Sequence, residues 1–356
     1  MRIAQVAPLY ESVPPKLYGG TERVVSFLTE ELVRQGHDVT LFASGDSVTS
    51  ARLWPGSDVA LRLCGVPSSS ALAQHLHLIE TVAQQAYRFD IVHFHLDFMP
   101  FSVIRREGMV AVTTLHGRQD IPGQFPLFHE FDDMNLVSIS DAQRLSMPWA
   151  NWIGTVHHGL PAKRFMPCSL GQNYLAFLGR ISPEKRVDRA VEIARRAGMR
   201  LHVAAKIDAA DREYFAGIRG LLEEPHVEFL DEIGDKDKCS FLSGAAALLF
   251  PIDWPEPFGL VMIEALACGT PVIAFRGGSV DEIIEDGVTG FIVESIDEAV
   301  EAVERIPSID RRECRAVFEE RFSARRMCND YLRVYERVIE DTEDANGPHL
   351  DQAAVA

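Results

Sequence analysis

Apolar positions along this chain follow two alternating rhythms: short unbroken apolar runs, and longer stretches in which apolar residues recur every third or fourth position. Ile3–Leu9 reads as a buried strand. Thr21–Gln35 reads as an amphipathic helix stopped by Gly36, and Val39–Ala43 as the next strand. Strand, loop, helix and strand at this spacing make a βαβ unit. The same rhythm predicts strands at Leu61–Val66, Asp90–Leu96, Ala111–Gly117 and Leu136–Asp141, with a helix over Ser70–Tyr87. From Gly159 to Gln172 the pattern is broken by Pro161, Pro167 and Gly171, the punctuation of an interdomain linker. It then resumes, with strands predicted at Tyr174–Leu178, Leu201–Ala205, Val227–Leu230, Leu248–Ile252, Pro271–Phe275 and Gly290–Val293 alternating with helices. The fold class is therefore α/β, with two domains expected at 1–160 and 172–323. A last helix follows over 324–341, with Tyr331, Leu332, Val334, Tyr335 and Val338 on its apolar face, and then a loose acidic and Ala-rich tail over 342–356.

The stretch with the most chemistry is Glu256-Pro-Phe-Gly-Leu-Val-Met-Ile-Glu264. Pro255 and Pro257 disfavour helix around Glu256, so the helix begins at Phe258 or Gly259 and ends at Gly269. Glu256 then sits just before a helix N-terminus, where free N–H groups attract anions, and Glu264 lies roughly 7–8 Å further along the axis. One extended ligand of diphosphate, sugar and ribose fits that length. A carboxylate in so apolar a helix needs a partner; the alternative to a ligand is a cap or a salt bridge.

A second cluster follows the first strand of the second half. Arg180 ends it, and Ser182 and Pro183 are suited to N-cap and first helical position, which puts Lys185 in the first turn. Cations there oppose the helix dipole, so an anion should compensate. A diphosphate would do so, and so would pairing with Glu184 or Asp188. Gly19-Gly20 precedes a helix, and His116 ends a strand where ligands gather in open α/β sheets, as do His95 and Asp97. His93 and His95 share a face, with no third metal ligand evident.

Read on from Glu256 to Glu264, then Ala265 and Ala267-Cys-Gly-Thr-Pro-Val272, the chain resembles glycosyltransferase family 4, whose retaining members carry a Glu-x7-Glu signature. The resemblance implies the GT-B arrangement, two Rossmann-like domains facing across a cleft, with the terminal helix crossing back to the first. It implies a nucleotide-sugar donor held mainly by the second domain. In that scheme Arg180 and Lys185 of Gly-Arg-x-x-x-x-Lys hold the donor phosphates, with Phe258, Gly259 and Leu260 at the helix start. Glu256 meets sugar hydroxyls, Glu264 the ribose, and Glu232 and Ile233 the base. Gly20, in Gly19-Gly20-Thr-Glu22, and His116, in Thr-x-His-Gly, face them from the first domain. The sequence departs from the family pattern at Arg186 in place of Gly, at Ala205-Lys206 in place of a Gly-x-Gly turn, and at His158-Gly-Leu-Pro161 in place of Asn-Gly-Val-Asp.

A formal net charge of −17 over 356 residues argues against a broad nucleic-acid surface. Six cysteines without a Cys-x-x-Cys pair indicate neither a zinc site nor a disulfide framework. With no apolar leader and no membrane-length apolar run, the expectation is a cytoplasmic protein without an integral membrane segment. The function expected is retaining, metal-independent transfer of a hexose, glucose first, from a UDP-linked or other nucleotide donor to an acceptor hydroxyl, without a cofactor. The acceptor carries no code in the loops that would bind it. A GT-B epimerase, a phosphorylase, or a non-catalytic nucleotide-sugar-binding subunit are the alternatives.

Overall fold

The structure, a computed structural model, describes residues 1–16, 19–167 and 173–345. It holds two parallel sheets. The first comprises β1 (Arg2–Val6), β2 (Asp38–Ser44), β3 (Arg52–Ser57), β4 (Ile91–Phe94), β5 (Ala111–Thr114), β6 (Leu136–Ser138) and β7 (Trp152–Thr155). Its spatial order is β3-β2-β1-β4-β5-β6-β7. The second comprises β8 (Tyr174–Arg180), β9 (Arg200–Lys206), β10 (Val227–Phe229), β11 (Ala247–Phe250), β12 (Val272–Phe275) and β13 (Gly290–Val293), in the order β10-β9-β8-β11-β12-β13. Both are doubly wound, and in each the order reverses at the first strand, between β1 and β4 and between β8 and β11. The inner strands are mostly apolar and buried on both faces, with Gln5 on β1 and His93 on β4 as buried polar exceptions.

Three features depart from the sequence reading. Leu61–Val66 is not a strand: Leu61–Cys64 is a 3₁₀ turn, and the strand lies earlier, at Arg52–Ser57. Pro55 and Gly56 hide it from pattern reading, and β3 tolerates a proline because it is the sheet edge. β7, at the opposite edge, is also absent from the periodic reading. Third, Ser182 and Pro183 do not start a helix. Residues 182–186 form a turn, with the Lys185 N–H donating to the Ser182 carbonyl at 3.1 Å. The helix starts at Val187, after Arg186 in a left-handed conformation (φ 52°). Arg186 is held there by Asp188 and Asp253, both at 2.8 Å.

The terminal helix, Ala324–Ala345, packs on the helix Gly20–Arg34 and on β5. Its Tyr331 and Tyr335 are fully buried, in an apolar cluster that runs continuously from Ile3 and Val112 to Leu175 and Leu248. Of the predicted linker, 168–172 lies outside the described residues, as do 346–356 of the predicted tail.

Candidate functional site

Each reversal point opens a crevice at the carboxyl ends of its strands, and one cavity of about 740 Å³ joins the two. From the second sheet, β8 ends on Arg180 and leads to Lys185, while β11 leads into the Trp254–Gly259 turn and the helix Leu260–Ala267, N-capped by Gly259. From the first, the loop after β1 brings Gly20 and β5 brings His116. Gly20, His116, Arg180, Lys185, Glu232, Ile233, Glu256, Phe258, Gly259, Leu260 and Glu264 all line this cavity. Residues far apart in sequence are thus gathered on one wall system.

The acidic and basic side chains meet in pairs. The Lys185 ammonium contacts the Glu256 carboxylate, which also accepts a 3.0 Å hydrogen bond from the Trp254 indole N–H. Lys185 lies 5.1 Å from the centre of the Trp254 ring and 5.5 Å from that of Phe250, so its charge is cradled by aromatic faces. Glu264, 3% exposed, pairs with Lys238 at 3.0 Å. Arg180 contacts Glu184 and lies 3.2 Å from Asp211. The pairing with Glu184 that the sequence left open is therefore present, and neither Arg180 nor Lys185 stands on a helix first turn. Both side chains still border open space beside the N-terminus of Leu260–Ala267, whose N–H groups, with Lys185, offer positive potential to an anion.

The opposite wall is imidazole. His116 Nε2 is 2.8 Å from His95 Nδ1, and its ring stacks on His158 at 5.3 Å between centres and 20° between planes. His158 in turn packs 4.7 Å from Phe258. Burial pushes the His116 imidazole down to about 3 and those of His93, His95 and His158 well below the ordinary range, so all four are neutral at pH 7. His95 lies behind His116 rather than in the cavity, and Asp97 does not line it. The nitrogens of His93 and His95 are occupied by Tyr335, Thr114, Gln5 and His116, which removes them as a metal pair.

Sequence reasoning missed Lys238, Trp254 and His158. Trp254 stands two residues before Glu256 and could have been read as its neighbour in the same turn. His158 appeared only as a departure from the family pattern. Lys238 sits in a polar helix with no motif, and only the fold brings it to Glu264.

This architecture and site define a GT-B glycosyltransferase. The sequence profile of glycosyl transferases group 1 matches residues 164–321 and that of Glycosyltransferase Family 4 matches residues 18–164, and the chain belongs to this family. Among curated relatives, N-acetyl-alpha-D-glucosaminyl L-malate synthase of Bacillus anthracis is 25% identical over 92% of this chain and 96% of its own length. Among solved structures, sucrose-phosphate synthase from Thermosynechococcus elongatus superposes with a TM-score of 0.76 at 18% identity, covering 96% of this chain and 99% of that one. Anabaena HepE in complex with UDP and glucose gives 0.71 at 17% identity, with 95% and 100% covered. Among the described residues no helix is long and apolar enough to cross a membrane.

Proposed function

We propose that this glycosyltransferase moves a hexosyl group, glucose first, from a UDP-linked donor to an acceptor hydroxyl with retention of anomeric configuration. The observation that carries the reading is the junction of Lys185, Glu256 and the N-terminus of Leu260–Ala267 on one cavity floor, with Glu264 one helical stretch deeper. A sugar diphosphate laid along that floor puts its phosphates against Lys185, Arg180 and the helix N–H groups, and its ribose diol against Glu264. The bond that breaks joins the anomeric carbon to the diphosphate oxygen. As it lengthens, negative charge grows on that oxygen, beside fixed cations that cost no reorganisation. The acceptor oxygen forms the new bond to the same carbon, and its proton passes to the departing diphosphate. Glu256, already bound by Lys185 and Trp254, is placed to hold sugar hydroxyls, and His116 meets the sugar from the other wall. Two cations at the phosphates leave no step in which this reading needs a metal. The donor identity and retention are drawn from the Glu256–Glu264 signature and from a like-folded protein seen with UDP and glucose.

The test is a panel of nucleotide sugars. UDP-glucose is expected to raise the melting temperature most and to be hydrolysed slowly without acceptor, and NMR of the transferred sugar is expected to show the donor's anomeric configuration. Inverted product would overturn retention, and absence of any thermal shift across the panel would overturn the donor site.

A further inference from the structure

We infer that Gln5, His95 and Tyr335 form a positioning chain that fixes which nitrogen of His116 carries its proton, so that His116 presents a bare Nδ1, a hydrogen-bond acceptor, to the donor sugar. The inference rests on the reading of His116 as a sugar contact.

Gln5 is fully buried on β1, the strand at the reversal point of the first sheet. Its amide oxygen lies 2.9 Å from His95 Nε2 and its amide nitrogen 2.9 Å from the Tyr335 phenol oxygen. An amide oxygen only accepts, so His95 Nε2 carries the hydrogen. A neutral imidazole has one N–H, which leaves His95 Nδ1 as a lone pair facing His116 Nε2 at 2.8 Å. His116 Nε2 must then donate. Because His116 is also neutral, its Nδ1 is bare, and that buried Nδ1 has no hydrogen-bond partner in the protein. The stack on His158 holds the ring plane, and the contact with His95 holds Nε2 in place.

Tyr335 locks the other end. Its oxygen, accepting from Gln5, is also 2.7 Å from His93 Nδ1, to which it donates. His93 Nε2 then donates to Thr114 Oγ1 at 2.7 Å, and that hydroxyl lies 3.0 Å from the Tyr331 phenol oxygen. With the Tyr335 proton committed to His93, a turned Gln5 amide would set its oxygen against a phenol oxygen with no proton to give. Reversing the amide requires every proton on both branches to reverse together. Tyr335 thereby ties the two branches together, and with the Gln5 amide oriented toward it by its N–H, His116 offers the cleft a group that takes a hydrogen from a sugar hydroxyl and has nothing to give a substituent that only accepts.

Imidazole nitrogen NMR on the ligand-free protein reads this directly. Between pH 6 and 8, His95 and His116 are both expected to carry hydrogen on Nε2 and none on Nδ1. In Tyr335→Phe the Gln5 amide is free to turn, so His116 is expected to show both tautomers, with kcat reduced roughly tenfold and the donor KM little changed. Gln5→Glu, whose carboxylate accepts as the amide oxygen does, is expected to keep the His116 tautomer and most of the turnover, whereas Gln5→Met loses both. A proton on His116 Nδ1 in the unaltered protein, or an unchanged tautomer in folded Gln5→Met, overturns the chain. If the tautomers are as stated but His116→Ala turns over donor at the full rate, the sugar-contact reading fails while the proton order stands.

Discussion

At the scale of single residues, the site is a set of charges that neutralise one another. Lys185 and Glu256 illustrate it: the ammonium that would face a leaving diphosphate is held by the carboxylate that would face the sugar. Removing Lys185 deletes a cation that matters most when charge has developed. Lys185→Ala is therefore expected to lower kcat by about 10²–10³ with donor KM less affected, in a protein of unchanged circular dichroism. Steady-state kinetics check this, and a folded variant with full kcat would remove the leaving-group role. In the proposed function Glu264 belongs to binding, not to the reacting bond. Losing charged hydrogen bonds of about 1.5–3 kcal/mol, Glu264→Ala is expected to weaken UDP binding roughly 10- to 150-fold by calorimetry. Equal affinity would contradict the ribose assignment.

At the scale of elements, what was legible in the sequence is what is encoded locally. The Glu256 turn, the helix behind it, its Gly269 stop and the β12 run are contiguous, so propensity and proline placement define them to within a residue or two. Arg186 is the counterexample, because its left-handed backbone is stabilised by Asp253, a partner outside any local window. Lys238, Gln5 and His158 were not legible as site residues because their contacts cross between elements. So does the support of the Glu256 turn itself. Gly278, with φ at 57°, lies against that turn, and a Cβ there would stand 2.1 Å from the Glu256 carbonyl oxygen and 2.4 Å from its nitrogen. These are backbone atoms that cannot swing aside. Gly278→Ala is expected to cost the left-handed strain of roughly 1–2 kcal/mol and also to displace Glu256. Gly287, φ 75° with nothing within 4 Å of its Cβ position, provides the comparison, since Gly287→Ala carries the strain alone. A tenfold or greater loss of kcat/KM in Gly278→Ala against little change in Gly287→Ala is the expected outcome. Equal losses would show that the turn does not depend on this contact.

At the scale of the whole molecule, the cavity exists only while the two sheets keep their relative placement, and polar contacts help to hold it. The terminal helix provides some: the half-buried Arg326 donates to the His157 and His158 carbonyls at 2.7 and 2.9 Å. Glu282 provides another. It reaches from the second half to the N-terminus of the helix Asp141–Arg144 and accepts from the Asp141 and Ala142 N–H groups, both at 2.7 Å, while His157 Nε2 lies 2.9 Å away. Burial pushes the Glu282 carboxyl up, but the hydrogen bonds from His157, Ala142 and Asp141 outweigh it and hold it below the usual carboxylate range. A carboxyl whose pKa is lower folded than unfolded contributes stability fully above its unfolded value, about 4.3, and loses that contribution as pH falls through the folded value. Glu282→Gln keeps the shape and loses the titration. Its melting temperature is therefore expected to lie below that of the unaltered protein by a constant margin from pH 6 to 8. The margin is then expected to shrink below about pH 4, as Glu282 takes up a proton and becomes as neutral as the glutamine. A margin that stays the same down to pH 3 would mean the contact owes its strength to shape and not to charge. In that case the two halves of the cleft are held by the terminal helix and its tyrosines, with the carboxylate a passive cap.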